Sequence, residues 1–531
     1  MDCQRSIDRD RARREGASAR SLSDALTRNL ARAAGQLNQF IKHWVRDPAG
    51  NVMLMFGLLA LPIFVGAGAA VDASRAYLVQ ARLTQALDAS GLAVGSMIGL
   101  TEAELQQRAE DFFKANYPVD EIGVPATPLV TLTENVLTVS ATAKLPTAIM
   151  GIVGIHELNI ASSVEITRES KSLELIMVLD NTGSMNSNDK IGALKVAAND
   201  LIDILFGSDP FPAKVKVGMV PFAAGVNVGV DFRNSGYMDT NGQSSIHAEN
   251  FTPGTNLWDL YDDLSNRDWN GCVQTRPEPL DELDTVPTIG NPDTLWVPWF
   301  APDEPSFSEA GDSYSNSYID DGVTGDEDTR QRNAAKYAGQ SVSSSSRGPQ
   351  FNCSGLQAVT PLTNDRDLLL QRITDMVAGG WTHIPVGLAW GWRLVSPEAP
   401  FMEGTMYNDP DVSKAIILLT DGENTLPSKS NHNVSQYTAY GYVSEARLGT
   451  TNINTARAQL NPKTLAICEN AKAEGVRLYT ITFQLNNVDT QNMMEACATE
   501  PQLYFNSPSN EQLRLVFQNI AQDLSNLRLS K

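Results

Sequence analysis

Residues Val52 to Val71, VMLMFGLLALPIFVGAGAAV, contain no charged side chain. At 1.5 Å per residue, a helix of that length reaches about 30 Å, the thickness of a bilayer's hydrocarbon core. Residues 1–50 hold ten Lys or Arg against six acids, a balance of +4, while the whole chain carries −21 and the remainder therefore −25. By the positive-inside rule, the basic arm (1–50) is expected to stay in the cytoplasm, a single helix over 51–71 to span the membrane, and everything after Asp72 to be exported. Ala67-Gly68-Ala69 also resembles a signal-peptide cleavage site. A fifty-residue leader is long for a signal peptide, however, and the apolar run continues directly into a helical pattern, so a retained anchor is expected.

The exported part is acidic, which disfavours contact with phosphate backbones and favours cations and basic partners. No nucleic-acid partner is expected. Cys3 falls on the cytoplasmic side, whereas Cys272, Cys353, Cys468 and Cys497 form an even set in an oxidising compartment. Four cysteines allow three pairings; Cys272 with Cys353 and Cys468 with Cys497 are expected, because each pair lies within one predicted unit.

Past the membrane run, Tyr77, Ala81, Leu83, Leu87, Leu92, Ala93 and Met97 recur every three or four residues and predict one long helix to the Phe112-Phe113 region. LVTLTENVLTVSATAKL from Leu129 alternates around a turn at Glu134-Asn135, and SSVEITRES from Ser162 adds another strand. Residues 72–170 thus read as a small pilin-like α+β region. Within Arg46–Met97 the order of parts is a Gly-Asn entry, a membrane run, Gly-x-Ala-x-Asp, then a Leu-x-x-Ala-Leu-Asp-Ala helix. This order resembles the TadG-like proteins of the Tad (tight adherence) Flp-pilus assembly family. Prepilin-peptidase substrates of that kind carry a Glu five residues into the mature segment; Met55 stands there, so the anchor is expected to remain uncleaved.

From Leu173, LELIMVLD is a continuous apolar run ending on Asp180, the pattern of a strand buried on both faces. A helix over 189–206 follows, with Ile191, Leu194, Ala198, Leu201, Ile202 and Leu205 in one stripe. A strand from Val215, helices near Asp367–Ala378 and Pro385–Leu394, strand Ala415–Thr420, helix Pro462–Lys472, a strand from Val476 and a final helix opened by Ser509 and Gln512 continue the alternation. Such alternation predicts an α/β domain over 171–526 with a doubly wound parallel sheet. Between about 231 and 352 the pattern lapses, too long for a plain loop, and an inserted subdomain or a partly disordered segment is expected. Residues 281–329 hold thirteen Asp or Glu and no Lys or Arg. They read first as a solvated acidic surface, with calcium binding around Asp312, Asp320, Asp321, Asp326 and Asp328 as the sharper alternative.

The chemistry concentrates at Asp180-Asn181-Thr182-Gly183-Ser184. Oxygen-bearing side chains at alternate positions after a strand can face one hard cation. Gly379-Gly380-Trp381-Thr382 before a helix and Thr420-Asp421-Gly422 after an apolar strand should emerge at the same sheet edge, where open α/β sheets bind ligands. The blander reading makes Asp180 and Thr382 simple caps. The three segments together resemble the metal-ion-dependent adhesion site of von Willebrand factor A domains. That resemblance implies Thr182, Ser184 and Thr382 as ligands, Asp180 and Asp421 as ligands directly or through water, and magnesium as the cation, with manganese or calcium as substitutes. GGWTHIPVGLAWGWRLVSP, LLTDGENTLPS, YTAYGYVSEAR, LYTITFQL and LRLSK look like the TadG-like variant of the A domain. The resemblance implies a protein of the bacterial inner membrane, its bulk periplasmic or facing the cell surface. Its partners would be pilus machinery or pilin-like proteins, and it would support adhesion and biofilm formation. An envelope A-domain scaffold or an adhesin unrelated to pili is the rival reading. The sequence has no HExxH, GxSxG or GxxxxGK[ST] motif and its five histidines are scattered, so no enzymatic activity is expected.

Overall fold

The computed structural model describes residues 52–95, 97, 100–117, 123–133, 136–167, 171–307, 311 and 313–527. The basic arm, the turn at Glu134-Asn135 and Asp312 lie outside the described residues. The chain divides into two compact units. The first includes the helix up to Gly91 with Ala109–Val130 and Thr138–Val164; the second holds Glu165 onward together with Leu92–Arg108 and Thr131–Leu137.

The membrane run opens α1 (Val52–Gly95), whose residues up to Gly91 lie in the first unit. Among the described residues, Met55–Gly95 is the one helix long and apolar enough to cross a bilayer, as in a single-pass membrane protein. Phe56, Leu59, Ile63 and Phe64 are exposed along it. The single helix expected to reach Phe113 is in fact two. Thr101 and Glu104 form a reciprocal capping box, Thr101 N donating to Glu104 Oε2 at 2.8 Å and Glu104 N to Thr101 Oγ1 at 3.3 Å, and this restarts the chain as α2 (Glu102–Asn116). Strands β1 (Val124–Pro125), β2 (Leu129–Thr133), β3 (Val136–Pro146) and β4 (Glu157–Thr167) make one sheet with β3 central.

The second unit begins with β5 (Ser172–Asp180), α3 (Lys190–Phe206), β6 (Val215–Phe222) and a short antiparallel pair, β7 (Val226–Asn227) with β8 (Cys272–Val273). Two short helices, α4 (Leu257–Asp263) and α5 (Glu327–Arg332), lie in the insertion. Then come β9 (Thr360–Thr363), α6 (Arg366–Thr374), α7 (Ile384–Val395), β10 (Val412–Thr420), α8 (Ile453–Ala473), β11 (Arg477–Phe483), α9 (Val488–Cys497), β12 (Tyr504–Ser507) and α10 (Asn510–Leu527). The main sheet runs β12-β11-β10-β5-β6-β9. Its strands are parallel except β9, which is antiparallel to β6. Counted by appearance this is the doubly wound order 3-2-1-4-5-6, with the switch point between β5 and β10. The expected α/β fold of von Willebrand A type is therefore present.

Strand alternation sorts the core. Leu175, Met177 and Leu179 of β5 face α3, α6 and α10, whereas Ile176 and Val178 face α7 and α8. Helix α7 lies close on the sheet because Gly387 and Gly391 lack side chains: a Cβ on Gly391 would come within 2.3 Å of Val178 Cγ2, and one on Gly387 within 2.5 Å of Phe222 Cγ. Every residue of α7 is buried, because the insertion covers its outer side. Trp296 packs against Trp390 with centroids 5.0 Å apart and the rings tilted by 36°, and the Arg393 guanidinium donates to the carbonyls of Leu280, Asp281 and Leu283.

The insertion is thus a packed lobe, tied internally to its far end by the Cys272–Cys353 disulfide; Cys468–Cys497 links α8 to α9. Neither reading of its acids as a group describes the structure. Asp303 and Lys336 form a fully buried pair at 2.9 Å, and Asp281, Glu304 and Asp321 are also buried, so these are not solvated charges. Asp320 is exposed, Asp321 is bound to Arg330, Asp326 caps α5, and Asp328 is paired with Arg332. Among the described residues, the carboxylates proposed for calcium are not gathered around one point.

Candidate metal centre

Strand β5 ends on Asp180 and β10 on Thr420, with Leu179 level with Leu419 across the ladder. Their next residues therefore leave the sheet side by side at its carboxyl edge. The Gly379–Thr382 loop joins them through the backbone. Gly379 N donates to Asn181 O at 2.7 Å, Gly183 N to Gly380 O at 3.0 Å, and Thr425 N to Thr382 O at 2.9 Å. Gly380 adopts φ +82°, a left-handed conformation that a side chain would strain.

Five side chains named from sequence come together here. Asp180, fully buried, accepts from Thr182 N at 2.8 Å on Oδ1 and from Thr420 Oγ1 at 2.8 Å on Oδ2. Thr182 Oγ1 lies 3.0 Å from Ser184 Oγ, which donates to Asp421 Oδ1 at 2.5 Å. Thr382 Oγ1 and Ser184 Oγ flank Gly422, lying 3.4 and 3.9 Å from where its Cβ would be. Thr382 is not the α7 cap: His383 holds that position, with no side-chain cap bond. Part of the capping alternative does describe Asp180, whose Oδ1 holds the loop amide.

The donor set suits a hard divalent ion. Two carboxylates and three hydroxyls converge, and among the described residues no group of three His, Cys, Asp or Glu is placed to hold a metal. The hydroxyls would therefore be indispensable to any such site. Burial, and secondarily the Asp421 carboxylate, push the Asp180 pKa up to about 7; a cation between the two would relieve this repulsion.

Sequence reasoning passed over Lys190. Its Nζ donates to Asp421 Oδ2 at 2.9 Å, and the pair is nearly inaccessible to water. A buried lysine at the first position of a helix opposes the helix dipole, and that anomaly was the available signal. Asn424 and Thr425 were also missed; Asn424 Oδ1 accepts from Ile384 N at 2.8 Å and Thr425 Oγ1 from Thr382 N at 2.9 Å, fixing the entry to α7. His383 Nε2 lies 2.9 Å from Thr425 O, and burial pushes its pKa down to about 4. A neutral ring donating to a carbonyl is a structural element of the loop.

Comparison with known proteins bears mainly on the other end of the chain. Residues 50–97 match the Tad family model, described as "Flp pilus-assembly TadE/G-like". The chain carries a TadE/G-like segment. A search of curated proteins finds no match. Among solved structures, this chain is similar to the pilus adhesin SpaC of Lactobacillus rhamnosus GG, at 13% identity and TM-score 0.33, over 75% of this chain and 34% of SpaC. It thus spans about a third of that protein. The vWF domain of the type V pili tip protein Mfa5 from Porphyromonas gingivalis matches at 12% identity and TM-score 0.33, over 68% of this chain and 97% of that domain. Proximal thread matrix protein 1 from the mussel byssus, solved with a zinc-occupied MIDAS motif, matches at 13% identity and TM-score 0.29, over 67% and 48%. The A-type fold of this chain follows from its strand order and not from these likenesses.

Proposed function

We propose that this is a membrane-anchored Flp/Tad pilus assembly or anchoring protein. Its A-type domain binds a partner protein through a divalent cation held by Asp180, Thr182, Ser184, Thr382 and Asp421, and so supports adhesion and biofilm formation. One observation carries the binding half: three segments far apart in sequence are tied by backbone bonds so that their oxygens meet at one sheet edge. The TadE/G-like segment supports the pilus half. With Lys190 counted, the side chains contribute a net −1, so a bound divalent ion leaves the site at +1 and able to take a carboxylate from the partner. Magnesium suits the oxygen-rich set, with manganese or calcium as substitutes. The partner belongs to the pilus machinery or is pilin-like, and the bulk of the chain is exported with the N-terminus cytoplasmic.

The site acts by binding and not by catalysis. Its one neighbouring histidine is buried and bonded to a carbonyl, which supports a structural role for that ring in the loop. The test is genetic. Deletion should abolish surface pili and adherence, and complementation with Ser184→Ala should fail where the wild-type chain succeeds. Unchanged piliation and adherence after deletion would refute the reading and favour an envelope scaffold unrelated to pili.

A further inference from the structure

The loop between β3 and β4 contains no charged residue from Pro146 to Ile155, TAIMGIVGI following the proline. It folds as a 3-10 turn, Met150–Val153, closed by Gly154 at φ +89°. Its apolar side chains are not in a core: Ile152 is 81% exposed, and Val153 and Ile155 are exposed as well. Ile152 and Val153, together with Ile149 and Met150, line one small cleft with Phe64 and Val65 of α1, inside the apolar run. Ile149 seats against Gly68, where a Cβ would come within 2.2 Å of its Cγ2. Phe64 lies eight residues before Asp72, hence roughly 12 Å deeper along the helix.

Irregular backbone is excluded from hydrocarbon unless its polar groups are satisfied internally. Here they are. Asp72, buried at the end of the apolar run, accepts from Ala148 N at 2.7 Å and from Ile149 N and Met150 N at 2.9 Å. Ile152, Gly154 and Ile155 donate to carbonyls within the loop. Charge returns only at the loop's base, where Lys144 pairs with Glu157 at 3.0 Å and Arg75 donates to Asp72 and to Pro146 O, each at 3.3 Å.

We infer that this loop is a second membrane contact, immersed in the acyl chains of the leaflet beside α1, with Asp72 as the polar anchor that lets it enter. It rests on α1 spanning the bilayer. The occupant of the exposed apolar face is lipid because the face continues the apolar surface of the span itself. The depth, roughly 12 Å along α1 from Asp72, lies just beyond the ~5–10 Å of interfacial insertions. The contact fixes the height and rotation of the first unit at the membrane, which a single helix leaves free.

The test uses the full chain in phosphatidylcholine–phosphatidylglycerol vesicles. Cys3→Ser removes the one cysteine outside the two disulfides, and Ile152→Cys or Val153→Cys then carries an NBD label; both side chains are exposed, so folding should survive. Val124→Cys is the reference, 66% exposed and level with Val79, since a Cβ on Gly123 would lie 3.0 Å from Val79 Cγ1. Labels at 152 and 153 should be quenched by doxyl-labelled lipid and lose quenching by aqueous iodide, with the reverse at 124. Iodide quenching at 152 equal to that at 124, in protein that resists carbonate extraction, would overturn the inference while leaving the span intact. Extraction by carbonate would overturn both.

Discussion

Lys190→Met probes the metal centre through a group that is not itself a candidate ligand. Methionine keeps most of the stem and removes the cation bound to Asp421 Oδ2 at 2.9 Å. Leaving a buried carboxylate without its partner costs roughly 3–5 kcal/mol. For a unit of about 350 residues, the unfolding entropy is about 0.7 kcal/mol/K, so Tm should fall by about 4–7 °C. Magnesium acts in the opposite direction. A cation at a hundred times its Kd stabilises the folded state by about 2.7 kcal/mol, and with Lys190 gone the site is one charge more negative, so the variant should bind more tightly than wild type. The assay is thermal unfolding of the detergent-solubilised chain, with EDTA and with magnesium. The variant should melt lower in EDTA, and the gap should narrow with magnesium. Equal Tm values in EDTA, or a gap that widens with magnesium, would refute the reasoning.

Other outcomes follow from the same structure. His383 is held neutral in the fold with a pKa near 4 but titrates at 6.5 when unfolded; the unfolded chain therefore binds the extra proton, and stability should fall as pH drops from 6.5 toward 4. Relative to wild type, His383→Gln should flatten that part of a Tm-against-pH profile. Gly391→Ala should cost about 1–3 kcal/mol by overpacking α7 against Val178, read as a lower Tm with a native circular dichroism spectrum. Replacing Cys272 and Cys353 by Ala opens a loop of 81 residues and should cost about 4 kcal/mol, read as protease cleavage within the insertion before the sheet unfolds.

Much of the architecture was legible because it follows from local pattern. LELIMVLD and AIILLT are apolar without alternation, which marks central parallel strands; the first ends on Asp180 and the second is followed at once by Asp421, so the ladder brings both acids to one edge. The cysteine pairing could be drawn from domain boundaries alone. Errors arose where a local rule competed with another or a contact spanned great distance. Pro462 suggested the start of a helix, but α8 begins at Ile453, where Asn452 Oδ1 caps the amides of Asn454 and Thr455, and carries Pro462 inside. The Thr101–Glu104 capping box was present in the sequence, and the apolar period running across it hid the break. The insertion defied pattern reading because its order comes from Trp296 packing on Trp390 of α7, Arg276 lying over Trp296, and Arg393 of α7 bonding the carbonyls of Leu280, Asp281 and Leu283, not from periodic strands or helices. Lys190 meets Asp421 across 231 residues, a pairing that no spacing rule anticipates.

The central claim is that the converged oxygens bind a divalent cation. Calorimetric titration of magnesium and of manganese into the full chain, wild type against Thr382→Ala, tests it most directly. Alanine removes only the hydroxyl side of that position, since its backbone bonds to Thr425 remain. Saturable binding to wild type, lost in the variant with the melting profile in EDTA unchanged, is the predicted result. Absence of binding by wild type, or equal binding by both proteins, would contradict the account.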